Sequence, residues 1–214
     1  AGFYRSLCVN SPYLDFIKAL TQEVLDTFEV DGLFFDAVFP FQCSCRYCIA
    51  EMIEKGYEPS NENDRMKFGR FVIDRFKREM TAFVRRTNRN CRIFYNEGHI
   101  GPAHRAVKDA YTHFELESLP GGQWGYIHFD TIMPYARTLG LDCLSHTGRF
   151  HTTWGDFHSF KNRAALLGYY ICDEPDHGAW NVPPAEIRQA HHILKEADPA
   201  HPTIVLVMSW HRSM

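Results

Sequence analysis

The sequence predicts a parallel α/β fold of the (β/α)8, TIM-barrel type. Three observations carry this expectation. Six short runs are rich in β-branched and aromatic residues, amphipathic runs of helical period separate most of them, and acidic or histidine residues gather at their carboxyl ends. The 214 residues are read as one domain spanning 1–214, although a closed eight-unit barrel usually takes about 250. The expected barrel is therefore incomplete or interrupted, with further strands before residue 1, after Met214 or between joined segments. An open doubly wound sheet is the alternative; no G-x-G-x-x-G or Walker A pattern supports its nucleotide-binding version.

The elements follow in chain order. Ser11-Pro12 opens a helix whose apolar positions Tyr13, Phe16, Ile17, Leu20, Val24 and Leu25 recur at helical spacing, with Ser11 suited to cap it and Pro12 to its first turn. Gly32 to Val38 is the first strand. Cys48 to Lys55 reads as a short helix stopped by Gly56. Asn63 to Thr87 is a long helix with Met66, Phe68, Val72, Phe76, Met80 and Val84 along it. Strands are then expected at Arg92–Tyr95, Thr112–Leu116, Leu141–Ser145, Tyr169–Cys172 and Thr203–Met208. Helices are expected at Pro102–Ala110, Trp124–Leu139, Phe157–Leu167 and Pro184–Lys195.

Bulk charge narrows the partners. Twenty-three Lys and Arg against 26 Asp and Glu give a net charge of -3, which supplies no broad attraction for nucleic acid or an anionic membrane. The local run Lys77, Arg78, Arg85, Arg86, Arg89 and Arg92 is expected on the solvated face and carboxyl end of the long helix. No apolar stretch reaches the roughly 18 residues that a membrane span needs. The seven cysteines are odd in number and unevenly spaced, which favours a reducing, cytoplasmic setting; secretion after removal of a signal is compatible with the same sequence. Seventeen Phe, ten Tyr and four Trp could line a site for a carbohydrate partner, although most aromatic side chains fill core, and the chain can also form a homo-oligomer.

The chemistry lies at the strand ends. Asp36 terminates the first strand and Glu97 follows Tyr95-Asn96. Glu115 and Glu117 mark the third strand, His146 the end of the fourth, and Asp173-Glu174 the end of the fifth. In a parallel barrel these ends share one face, so residues far apart in sequence converge. Asp36 taken alone also fits a helix cap or loop carboxylate. Its apolar approach Leu33-Phe34-Phe35 puts it at the rim of a dry core, where ionisation needs compensating donors. Neighbouring Asp173 and Glu174 cannot both enter a cleft from extended backbone, so one of them is expected to hold the loop. Asn96, Glu97, Glu117, His146, His151 and Asp173 are candidate hydrogen-bond partners of sugar hydroxyls. Trp154, in the polar stretch Thr152-Thr153-Trp154-Gly155-Asp156, is the candidate surface for a sugar ring.

Cys43-Ser44-Cys45-Arg46-Tyr47-Cys48 places three thiols in six residues just after the Asp36 strand. Cys43, Cys45 and Cys48 form a C-x-C-x-x-C knuckle, but structural zinc takes four ligands. The fourth would come from Cys8, Cys91, Cys143, Cys172 or a histidine. Loop packing, paired thiols and redox chemistry are the competing readings. No H-E-x-x-H pattern accompanies the cluster, so any zinc is expected to be structural, and catalysis to require no cofactor.

Leu7-Cys8-Val9-Asn10-Ser11-Pro12-Tyr13 and Val30-Asp31-Gly32-Leu33-Phe34-Phe35-Asp36, with Phe114-Glu115-Leu116-Glu117-Ser118 and the stretch from Gly148 to Asp156, resemble glycoside hydrolases of the α-L-fucosidase type and their barrel relatives. The resemblance covers roughly residues 5 to 166. It implies a (β/α) barrel in which Asp36 is the nucleophile of a retaining mechanism. Tyr169-Tyr170-Ile171-Cys172-Asp173-Glu174-Pro175 is instead similar to a second set of hydrolase-like barrels, and implies Glu174 as acid/base, with Glu115 its replacement. Carboxyl groups about 5 to 5.5 Å apart favour retention and about 6.5 to 9.5 Å inversion. The competing functions are a catalytically degenerate carbohydrate-binding or scaffold barrel, and a metal-dependent interaction module.

Overall fold

A computed structural model describes residues 7–97, 100–116, 131–146, 166–173 and 182–206. The chain divides into two compact units, Ala1–Glu97 with Ala106–Thr112, and Gly98–Arg105 with His113–Met214.

In the first unit, helix α1 (Tyr13–Thr27) starts one residue later than expected, with Pro12 rather than Ser11 in the N-cap position. The Ser11 hydroxyl donates to Cys8 O at 2.6 Å and accepts from Tyr13 N at 3.3 Å, so it joins the preceding segment to the helix. Strand β1 (Gly32–Phe35) is followed by α2 (Arg46–Glu54) and α3 (Glu62–Thr87), which lead to β2 (Arg92–Tyr95). Asn61 caps α3 by accepting from Asn63 N and Asp64 N, with Glu62 and Asp64 in the first turn and Arg85 and Arg86 in the last, each sign matching the helix dipole.

β1 and β2 pair in parallel, Gly32 with Arg92 through Phe35 with Tyr95. The paired rings meet across the strands, Phe34 with Phe94 at 5.2 Å and Phe35 stacked on Tyr95 at 5.1 Å. α3 covers this sheet. Phe76 meets Phe35 and Tyr95 edge-on, and Tyr95 Oη donates to Lys77 O at 2.8 Å.

The second unit holds β3 (Phe114–Leu116), β4 (Cys143–His146), β5 (Leu166–Asp173) and β6 (Thr203–Leu206) in that order, every neighbouring pair parallel. Parallel strands need crossovers, and α4 (Met133–Thr138) and α5 (Pro184–Ala197) lie in two of them. Asp198, after α5, accepts from buried Tyr169 Oη at 2.8 Å and contacts His201 Nδ1 at 2.6 Å. α5 and β5 are thereby joined.

The alternating parallel α/β construction agrees with the sequence reading, and several boundaries differ. Pro102–Ala110 is a 3-10 helix, its turns tightened to bonds such as His104 N to Gly101 O. The third strand begins at Phe114 because Thr112 is already engaged: its N donates to Ile93 O and its hydroxyl accepts from Ile93 N. Leu166 and Leu167, expected to end a helix, belong to β5, where Leu166 pairs with Cys143. Non-local pairing overrides local propensity there. Gly168 is needed in this strand because a Cβ would come within 2.8 Å of Pro202 O. The expected helix from Trp124 is described only from Thr131 onward, and residues 157–165 lie outside the described residues.

Candidate active site and thiol cluster

Asp36 directly follows β1, and the β1–β2 register sets Asn96 beside it. Asn96 N donates to Phe35 O and Val38 N donates to Asn96 O, both at 2.9 Å, so the parallel ladder continues past the Asp36 position. The Asn96 side chain is buried at 7% exposure and donates from Nδ2 to Asp36 Oδ1 at 2.9 Å. Ala37 N donates to the same oxygen at 2.8 Å. Among the described residues, both hydrogen bonds to Asp36 fall on Oδ1. The residue itself is exposed.

Ala37 adopts φ 53°, a left-handed conformation that costs an alanine roughly 1–2 kcal/mol. Strain of this kind persists where surrounding contacts over-determine it, here the Ala37 N–H on Asp36 and the Val38 bond to β2. The carboxylate lies at the surface beside this turn, with the ladder resuming at Val38.

Glu97, next along the chain, faces a buried cation. Lys77 is 0% exposed and forms an ion pair with Glu97, whose side chain is 5% exposed. Arg70 Nη1 reaches the same carboxylate at 3.3 Å, and Asp74 lies 4.0 Å from Arg70. Burial pushes the Lys77 ammonium below its ordinary value against the opposing pull of Glu97, and pushes Asp74 up. Lys77 is therefore a core residue, contrary to the expected solvated face. Its phase explains this, since Ile73, Phe76, Lys77, Met80, Thr81 and Val84 form one buried stripe of α3.

The cysteine knuckle finds its fourth member near the amino terminus. The sulfurs of Cys8, Cys43, Cys45 and Cys48 all lie within 4.8 Å of one another, a set capable of ligating a metal ion. Cys8 and Cys48 are 3.4 Å apart. Their pairing holds the Cys8 thiol down to about 5 and pushes Cys48 up, while burial raises Cys43 to about 11. Met52, Phe68, Val72 and Tyr57 pack around the thiols. The loop between Asp36 and Cys43 comes close to α3 at Gly69, where a Cβ would stand 2.4 Å from Phe41 O.

The other expected site residues are placed by the second sheet. Glu115 is buried within β3, opposite Leu144. His146 and Asp173 are the last residues of β4 and β5, paired in register with Tyr170 and Leu206. Both stand at the carboxyl edge of their sheet, as the sequence implies. Glu117, His151, Trp154 and Glu174 lie outside the described residues.

The chain is similar to a solved structure of α-L-fucosidase isoenzyme 2 from Paenibacillus thiaminolyticus, at 36% identity and a TM-score of 0.64. The fold is glycoside-hydrolase-like. The match covers 73% of this chain and 24% of that enzyme, so the chain spans about a quarter of the enzyme's length. No protein-family model and no curated protein matches the chain. Among the described residues, no helix is long and apolar enough to cross a membrane.

Within this glycoside-hydrolase-like frame, two relationships go beyond the sequence reading. Asn96 is a donor to Asp36, a pairing that requires the strand register. Cys8 is selected from several candidate ligands by a contact spanning forty residues of sequence.

Proposed function

We propose that the chain carries the nucleophile of a retaining glycoside hydrolase acting on terminal or short-oligosaccharide glycosidic bonds. The observation that carries this reading is Asp36: an exposed strand-end carboxylate with its Oδ1 fixed by Asn96 Nδ2 and Ala37 N, beside a buried ion-pair cluster. The similarity to an α-L-fucosidase supports the same reading. The fold that goes with it is a single (β/α)8 barrel domain, supported by uniformly parallel pairing and by polar residues at strand ends.

In the proposed reaction an Asp36 oxygen attacks the anomeric carbon while the bond to the leaving oxygen breaks. Glu174, assigned from the sequence resemblance, gives its proton to that oxygen; Glu115 is the replacement for this role. Glu174 then takes a proton from water, the water oxygen attacks the anomeric carbon, and the Asp36 carboxylate is released. Two hydrogen bonds on Oδ1 orient the nucleophile. Of the residues expected at the sugar, His146, His151, Asp173, Glu117 and Trp154 keep that assignment, whereas Asn96 is committed to Asp36 and Glu97 to Lys77 and Arg70. The thiols and any metal they hold take no part.

The test is turnover of a panel of activated fucosides and galactosides by the protein and by Asp36→Asn, with circular dichroism to verify the fold. A loss of roughly 10³-fold or more is expected. Proton NMR of the first product should show the substrate's anomeric configuration. A loss below tenfold, or an inverted product, would remove Asp36 from the nucleophile role, and glycan binding without turnover would make the protein a binding barrel.

A further inference from the structure

We propose that Cys8, Cys43, Cys45 and Cys48 form a tetrathiolate zinc site that clamps the segment before α1 onto the loop after Asp36. The inference is independent of the glycosidase reading, because metal content is measured without turnover.

The first support is convergence. Four sulfurs from two stretches of sequence lie within 4.8 Å of one another, and Cys8 has crossed forty residues to reach Cys48. A tetrahedral zinc with Zn–S bonds of about 2.3 Å places its sulfurs roughly 3.8 Å apart. The observed cluster needs only small side-chain adjustments to reach that spacing. The second support is backbone. Cys45 occupies the N-cap position of α2 without a side-chain capping bond, and Cys48 lies in its first turn, so two of the four ligands belong to the positive end of one helix. Cys43 N donates to Phe41 O at 2.9 Å, a tight turn that brings Cys43 back toward the helix.

The third support is the surrounding polar shell. Asn10 Nδ2 donates to Cys48 Sγ at 3.7 Å, while Asn10 Oδ1 accepts from Arg75, whose guanidinium is also paired with Glu51. Four thiolates around Zn(II) carry a net charge of minus two. Arg75 fixes the Asn10 amide so that its Nδ2 donates to a cluster sulfur, the kind of outer-shell hydrogen bond that orients thiolate ligands at zinc centres. Met52, Phe68 and Val72 provide the apolar side of the site. On binding, Zn(II) replaces the thiol protons, which pass to solvent, and no electron is transferred.

A paired-thiol reading makes a different prediction, because a Cys8–Cys48 disulfide would remove two hydrogens and leave two ligands, too few for the site. The experiment uses the full chain purified under reducing conditions without chelator. Elemental analysis should give one zinc per chain. The cobalt(II)-substituted protein should show the intense visible bands of tetrahedral thiolate coordination. Cys8→Ser should weaken zinc binding by roughly 10²-fold or more, since loss of a ligand should cost at least as much as loss of an outer-shell partner. Cys91→Ser, at a buried thiol on β2's approach, should leave the cobalt spectrum unchanged. Protein that takes up no stoichiometric zinc or cobalt, or intact mass showing a disulfide in freshly purified protein, would overturn the proposal. So would a Cys8→Ser variant that binds zinc as tightly as the parent. If Cys8→Ser fails to fold, the cobalt spectrum and metal stoichiometry of the parent decide.

Discussion

Asn96 Nδ2 donates to Asp36 Oδ1 at 2.9 Å across a separation of sixty residues, from a side chain only 7% exposed. The bond is a product of register. Phe35 pairs with Tyr95, so the next residue on each strand stands beside the other. A buried amide, packed under the sheet end, then holds an exposed carboxylate in one orientation.

Replacing Asn96 with alanine should therefore lower kcat more than it raises KM. The Ala37 bond remains, so Asp36 keeps one contact and loses its direction. With Asp36 as the proposed nucleophile, a loss on the order of 10²-fold in kcat is expected when that group is misdirected. Steady-state kinetics on an activated glycoside provides the measurement. An unchanged kcat in a folded variant would make Asn96 a packing residue only.

The Lys77–Glu97 pair gives a second prediction, on stability. Removing one partner of a buried ion pair typically costs about 3–5 kcal/mol because the other charge is stranded. Lys77→Met should fall at the lower end of that range, since Arg70 still reaches Glu97 at 3.3 Å. Adding Glu97→Gln should recover much of the loss. Urea unfolding of both variants measures it, and a double variant no more stable than Lys77→Met would show that the charge pair is not the source of the cost.

In the second unit, Asp198 links stability to pH. Its burial favours the neutral form, but hydrogen bonds from Tyr169 and His201 outweigh that and hold the carboxyl below its ordinary 3.8. A depressed folded value means that this stabilisation is present above the unfolded pKa and is lost as pH falls through the folded one. Asp198→Ala should cost about 2 kcal/mol at neutral pH, the range for a hydrogen bond to a charged group whose buried donor is left behind. The difference from the parent should narrow as pH drops below about 4. A gap independent of pH would mean that the charge contributes nothing.

How far these features were legible in the sequence depended on their range. The helices and strands are local patterns, and Asp36 is conspicuous because Leu33-Phe34-Phe35 leads into it. The C-x-C-x-x-C knuckle is equally local. Lys77 sits on the same helical phase as Ile73, Phe76 and Met80, yet its place in a basic run suggested solvent. Phase was the better guide. The Asn96–Asp36 bond and the Cys8 ligand position depend on strand register and loop closure, and no periodicity encodes either. Leu166 and Leu167 show the same limit: their local pattern suits a helix end, and pairing with β4 makes them strand.

Gly69 provides a prediction whose sign is diagnostic. In a helix interior, glycine to alanine normally stabilises by about 1 kcal/mol through propensity alone. Here the added Cβ would stand 2.4 Å from Phe41 O, a backbone atom two residues from Cys43 that cannot rotate aside. The loop must move, and accommodating an overpacked contact costs about 1–3 kcal/mol. Gly69→Ala should therefore lower stability despite its better propensity, and it should weaken cobalt binding because Cys43 moves with Phe41. Thermal unfolding and cobalt titration read the two effects separately. A more stable variant with an unaltered cobalt spectrum would mean that the loop does not lie against α3 as described, and the clamp on the strand end that bears Asp36 would lose its rigid support.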